Sequence, residues 1–140
     1  MESNLQPYLD ALDALTFGDM YGSDFFLTWE KTDEELAAVF AVADALRNLR
    51  ERNLSTKIFD SGLGVSLFRD NSTRTRFSFA SACNLLGLQV QDLDEGKSQI
   101  AHGETVRETA NMVSFMADVI GIRDDMYIGK GNKYMRDVAE

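Results

Sequence analysis

Cysteine, proline and histidine each occur once in 140 residues. A lone Cys83 permits no intrachain disulfide and no cysteine zinc cluster, and it suits a reducing, cytoplasmic setting. Pro7 is the sole proline, so no proline-rich linker divides the chain, and it carries no repeat or low-complexity tract. No stretch nears the ~18 apolar residues of a membrane span. The opening Met1-Glu2-Ser3-Asn4 has no basic segment leading into an apolar one, which argues against a signal peptide. Positive charge is also scarce: 14 basic residues against 23 acidic ones leave a net charge of −9. General nucleic-acid binding needs basic surface and is disfavoured. A small anionic substrate is not, because the field in one site can oppose the global charge.

What is present reads as one soluble α/β domain. Apolar residues make up 44% and charged residues 26%, an ordinary globular balance. The length allows one sizeable core. Residues 6–15 suggest a short helix. Residues 33–53 suggest a long one, with Leu36, Val39, Phe40, Ala43, Leu46 and Leu49 at helical spacing. Thr32 and Glu35 make a capping box at its start. A strand over 64–68, a helix over 73–86 ended by Gly87, and a strand over 88–93 follow. A polar loop, 94–103, leads to a helix over 105–117 with the stripe Val106, Ala110, Val113 and Ala117. Thr105 and Glu108 form a second capping box, and 118–123 is a third strand. The order αβαβαβ predicts a parallel, three-layer sheet with helices on both faces. Residues 133–140 read as the opening of a helix with no stop signal, so the chain is expected to be the N-terminal part of a longer protein.

In such sheets ligands bind beyond the carboxyl ends of the strands. Three polar features fall there: Ser72-Thr73-Arg74-Thr75-Arg76, the 94–103 loop, and Arg123. The first cluster sits at a strand-to-helix turn, where the first N–H groups lack intrahelical partners and the helix dipole favours an anion. Arginine adds a planar fork of donors matched to phosphate oxygens. A plainer reading keeps Ser72 as a helix cap and leaves both arginines in solvent.

Other candidates are weaker. His102 lies in the polar loop, where it is a solvent-exposed bystander or a donor to an anion. A lone histidine is a poor metal site. Cys83 shares the apolar face of Phe79, Ala82 and Leu86 and reads as an inert core residue. Asp92, Asp94 and Glu95 read as a solvated strand end, and Met112, Phe115 and Met116 as core. Gly62-Leu63-Gly64 has no third glycine and precedes its strand, and no Walker-type phosphate loop occurs.

The stretch Phe68-Arg69-Asp70-Asn71-Ser72-Thr73-Arg74-Thr75-Arg76-Phe77-Ser78-Phe79 resembles the carbamoyl-phosphate motif of the aspartate and ornithine carbamoyltransferases. So do Ser98-Gln99-Ile100-Ala101-His102-Gly103-Glu104-Thr105, then Glu108-Thr109-Ala110, and Asp118-Val119-Ile120 through Arg123, in the family's order and spacing. The match runs from about residue 58 to residue 124. Within the family the pattern looks most like the YgeW group.

The resemblance implies that Ser72, Thr73, Arg74, Thr75 and Arg123 bind carbamoyl phosphate. Gln99 matches the ornithine-type loop residue that reaches carbamoyl phosphate in a neighbouring subunit. His102 stands where aspartate-type enzymes carry a lysine, so either residue could cross a subunit boundary in a homotrimer. Arg76 would have a supporting, structural role. The implied reaction is acyl transfer to an amine, without metal or cofactor. The amine attacks the carbamoyl carbon, Arg74, Thr75 and a histidine stabilise the oxyanion, and phosphate leaves.

The departures matter too. No His-Pro-x-Gln or His-Cys-Leu-Pro stretch occurs. Those belong to the later part of family members, as does most of the amine site. The chain is therefore expected to be the carbamoyl-phosphate-binding domain, 1–140, inactive or nearly so by itself. Its signature is mixed: Gln99 leans to the ornithine type, His-Gly-Glu-Thr to the aspartate type. A non-catalytic anion-binding or regulatory module, and a plain structural α/β domain, remain the alternatives.

Overall fold

The computed structural model describes residues 6–69, 72–94, 96, 102–124, 127–129 and 131–139. These fall into two compact units, residues 1–56 and 57–140. The first holds α1 (Gln6–Asp13), a short 3-10 turn (Thr28–Glu30) and α2 (Asp33–Glu51). The expected capping box starts α2: the Thr32 side chain accepts from the Glu35 N–H, and Glu35 accepts from the Thr32 N–H. The buried side of α2 is not quite the expected stripe. Ala38 is buried and Leu36, Leu46 and Leu49 are half-buried, but Val39, Phe40 and Ala43 are exposed. The face turns through buried Ala38 and half-buried Val42 and Ala45.

The second unit holds β1 (Leu63–Phe68), α3 (Thr73–Leu86), β2 (Gln89–Asp92), α4 (Val106–Ser114), β3 (Val119–Arg123) and α5 (Gly131–Ala139). The three strands form a parallel sheet in the order β2-β1-β3. As the central strand, β1 is covered on both sides, and every residue from Gly64 to Phe68 is buried. That is why its sequence is a continuous apolar run interrupted only by small residues.

The two faces are set by alternation along the strands. Gly64 and Gly121 sit under α3: a Cβ at 64 would lie 2.7 Å from the Cys83 Sγ, and one at 121 would lie 2.5 Å from the Phe79 ring. Two missing side chains thus let α3 lie close on β1 and β3. Phe68, on the same face, meets Phe79 edge-on at 5.7 Å between centroids. Val65, Leu67 and Ile120 point to the opposite face, where they meet Val106, Val113 and Val138 of α4 and α5. Helices therefore cover both faces, as the element order predicts.

Chain direction at the sheet edges follows local chemistry. Gly87 ends α3 in the left-handed region, φ 103°, and a Cβ there would stand 2.0 Å from the Phe59 carbonyl oxygen. Only glycine fits. Helix α4 ends at Ser114, earlier than its apolar pattern suggests. Its buried side is Thr109 and Ala110, so the reading of Met112, Phe115 and Met116 as core is corrected: they lie on the outer side, 48%, 89% and 58% exposed. No described helix is long and apolar enough to cross a membrane.

Candidate functional site: the strand ends of the sheet

The sheet topology determines where a crevice can form. After β1 the chain turns to α3 on one face; after β3 it turns to α5 on the other. The adjacent carboxyl ends of β1 and β3 are therefore the point where the connections diverge, and where open α/β sheets bind ligands. Register places Phe68 opposite Arg123 at this end. Ser72 to Thr75 follow β1 directly.

Ser72 is the N-cap of α3, in extended conformation at φ −86°, ψ 100°. Its Oγ accepts from the Thr75 N–H at 3.4 Å and is 2.8 Å from the Thr75 hydroxyl. Arg123 Nη1 donates to the Thr75 Oγ1 at 2.7 Å. Three of the expected ligands thus form one chain, from the cap of α3 to the end of β3. Because Thr75 accepts from a guanidinium, its own proton is available to Ser72 or to an anion. Thr73 and Arg74 are exposed, and neither side chain is hydrogen-bonded to a described residue. Helix geometry leaves the first N–H groups of α3 without intrahelical acceptors. The crevice therefore gathers helix N–H groups, two hydroxyls and Arg123, with the Arg74 guanidinium in the same turn.

Two further expectations concern the loop after β2. His102 is exposed. Gln99 lies outside the described residues. Loop 94–103 ends at the second capping box, which forms in full: Thr105 and Glu108 exchange N–H and side-chain bonds. The Thr105 N–H and hydroxyl both donate to Glu108, each at 2.9 Å, and hold its carboxyl below the ordinary glutamate range. Buried Thr109 donates its hydroxyl to Glu104 at 2.7 Å. Cys83 is buried as expected, and burial raises its thiol pKa, which keeps it protonated and inert.

Asp92 is an exposed strand end, as expected, but it is also tied to its neighbours. Its carboxylate accepts from the buried Ser66 hydroxyl and from Arg76 Nη1. A second ion pair, Arg69 to Asp124 at 2.9 Å, joins the exits of β1 and β3, and the Arg69 guanidinium stacks on Tyr134 of α5 at 4.4 Å. Sequence reasoning missed both. The signal for the second is opposite charges one residue past Phe68 and Arg123, legible once β1 and β3 are known to be neighbours.

The sequence profile of the carbamoyl-phosphate-binding domain of aspartate/ornithine carbamoyltransferases matches residues 23–140. The chain belongs to this family. YgeW of Escherichia coli (strain K12), provisionally named a carbamoyltransferase, is 64% identical over 139 residues, covering 99% of this chain and 35% of YgeW. Among solved structures, the aspartate transcarbamoylase of Trypanosoma cruzi, in complex with carbamoyl phosphate, has a TM-score of 0.75 at 18% identity, over 97% of this chain and 39% of its own. That likeness is one of fold. The ornithine carbamoyltransferase of Pyrococcus furiosus has a TM-score of 0.73 at 27% identity, over 84% of this chain and 36% of its own. The chain spans about a third of the length of the curated relatives it matches. The carbamoyltransferase family match includes both Ser72–Thr75 and Arg123.

Proposed function

We propose that the crevice between the ends of β1 and β3 binds carbamoyl phosphate, and that the chain supplies the carbamoyl-phosphate half of a carbamoyltransferase. The observation that carries this reading is the Ser72–Thr75–Arg123 chain at a helix N-terminus in a member of this family. Arg123 and the α3 N–H groups hold the phosphoryl oxygens. Ser72 and Thr73 complete the cradle. Arg74 and Thr75 face the carbamoyl oxygen, where negative charge grows as an amine attacks the carbon. Thr75, held by its own hydrogen bonds, needs no reorganisation at that moment, which is how such sites lower the barrier. Phosphate leaves into the donors that bound it.

On the same reading the acceptor is the amine of an amino acid, and the protein works in the cytoplasm as a homotrimer. Gln99 and His102 would then reach the crevice of a neighbouring subunit. Family membership and the exposure of His102 support this extension. Sedimentation of the purified protein checks it: a monomer at assay concentration sets the inter-subunit roles aside.

The central test is calorimetric titration of carbamoyl phosphate into the protein and into Arg74→Ala. Loss of a charged hydrogen bond predicts weakening by about 1.5–3 kcal/mol, or roughly ten- to 150-fold. Equal affinities would remove Arg74 from the site, and no binding to folded wild-type protein would sink the reading. Binding without carbamoyl transfer to any amine would leave a non-catalytic anion-binding module.

A further inference from the structure

The second arginine of the cluster is placed differently from the first. Arg76 Nη2 donates to the Phe68 carbonyl at 2.8 Å, Nη1 donates to Asp92, and the guanidinium lies 5.9 Å from the centre of the Phe68 ring. Asp92 uses its other oxygen to accept from the Ser66 hydroxyl. One fork thus joins the first turn of α3, the last residue of β1 and the last residue of β2. Each of these three points is a root of the crevice. Phe68 precedes the turn that carries Ser72. Asp92 is where the chain leaves the sheet for loop 94–103. Arg76 is one residue after Thr75.

We propose that Arg76 is a positioning residue: through Asp92 and the Phe68 carbonyl it fixes α3 against the strand ends, and so sets the spacing of the carbamoyl-phosphate cradle. The inference rests on the carbamoyl-phosphate reading above. The geometry favours it over a ligand role because both terminal nitrogens are committed to protein acceptors. Lysine cannot replace such a fork, since an ammonium is a point charge that cannot span two fixed acceptors in the same plane. Asp92→Asn keeps the shape of the acceptor and removes the charge that holds Arg76.

The test is calorimetry of carbamoyl phosphate on wild type, Arg76→Lys, Asp92→Asn and the double variant, each checked for folding by circular dichroism. Arg76→Lys is expected to raise Kd about tenfold at unchanged stoichiometry. Asp92→Asn, remote from the ligand, should do nearly the same. The double variant should be no worse than the weaker single variant, because both remove one clamp. A merely structural role would lower the fraction of competent sites, read as stoichiometry, and leave Kd alone; that result overturns the inference. So does a loss confined to Arg76→Lys, which would make Arg76 a direct ligand, and so do fully additive losses. Wild-type protein that binds nothing removes the underlying reading and this inference with it. Wild-type binding with all three variants unchanged removes only this inference.

Discussion

Thr75 carries more of the site than its size suggests. Its hydroxyl joins the cap of α3 to the guanidinium at the end of β3. Thr75→Val keeps the shape and deletes that junction. The residue is half-buried, so water can take over the released donors, and the cost in stability should be near 1 kcal/mol. Binding should suffer more, because Val cannot donate to an anion and Arg123 loses its bond to the Thr75 hydroxyl. A Kd for carbamoyl phosphate raised about ten- to a hundredfold is expected. Thr75→Ser should retain most of the affinity. If Val and Ser variants bind alike, the hydroxyl is not a ligand and Thr75 serves only to pack. Of the four arginines around the strand ends, Arg123 is bonded to Thr75. Arg69 and Arg76 are held by Asp124 and Asp92, whereas Arg74 has no ion pair with a described residue and is exposed to an incoming anion.

Each element reaches the crevice for a reason that differs in how visible it is in sequence. Helix α3 was legible: Ser72 is a cap residue, Gly87 a left-handed terminator, and both are where their chemistry requires. The capping boxes at Thr32 and Thr105 were legible for the same reason, since each needs only residues three apart. What was not legible depends on partners far along the chain. The tie from Ser66 to Asp92 spans 26 positions and that from Arg69 to Asp124 spans 55. No local pattern contains them, and they follow only from the order β2-β1-β3. The exposed side of α4 was misread because Met112, Phe115 and Met116 are apolar, though they lie off its stripe. The start of α4 provides a pH test. Glu108 has a lowered pKa in the folded state, so its contribution is complete above the unfolded value of about 4.3 and is lost as pH falls through the folded one. Hydrogen-exchange protection in the first turn of α4 should therefore fall in acid, below the ordinary glutamate range. It should hold better in α3, whose cap is the hydroxyl of Ser72. Glu108→Gln should remove the difference between neutral and acid conditions. A wild-type α4 turn equally protected at both would show that the carboxylate does not hold the cap. Thr105→Ala should cost about 1 kcal/mol at neutral pH.

For the molecule as a whole, the net charge of −9 would repel an anion at long range, so affinity must come from donors crowded at one point. The described candidate ligands of that point, from Ser72 to Arg123, all belong to the unit of residues 57–140. Binding there should stabilise that unit by mass action, because an unfolded chain has no crevice to bind with. At a hundred times Kd the gain is about 2.7 kcal/mol. With a urea slope of about 1–3 kcal/mol per molar, the midpoint should rise by roughly 1–3 M. Hydrogen exchange in β1 and α3 during urea titration reads this locally. Inorganic phosphate at the same concentration should give a smaller rise, since it fills the phosphoryl half of the cradle and leaves the donors for the carbamoyl oxygen unused. Arg74→Ala should lose most of the rise with carbamoyl phosphate. A full rise in that variant would place the ligand elsewhere, and no rise in the wild type would mean that the crevice binds neither anion.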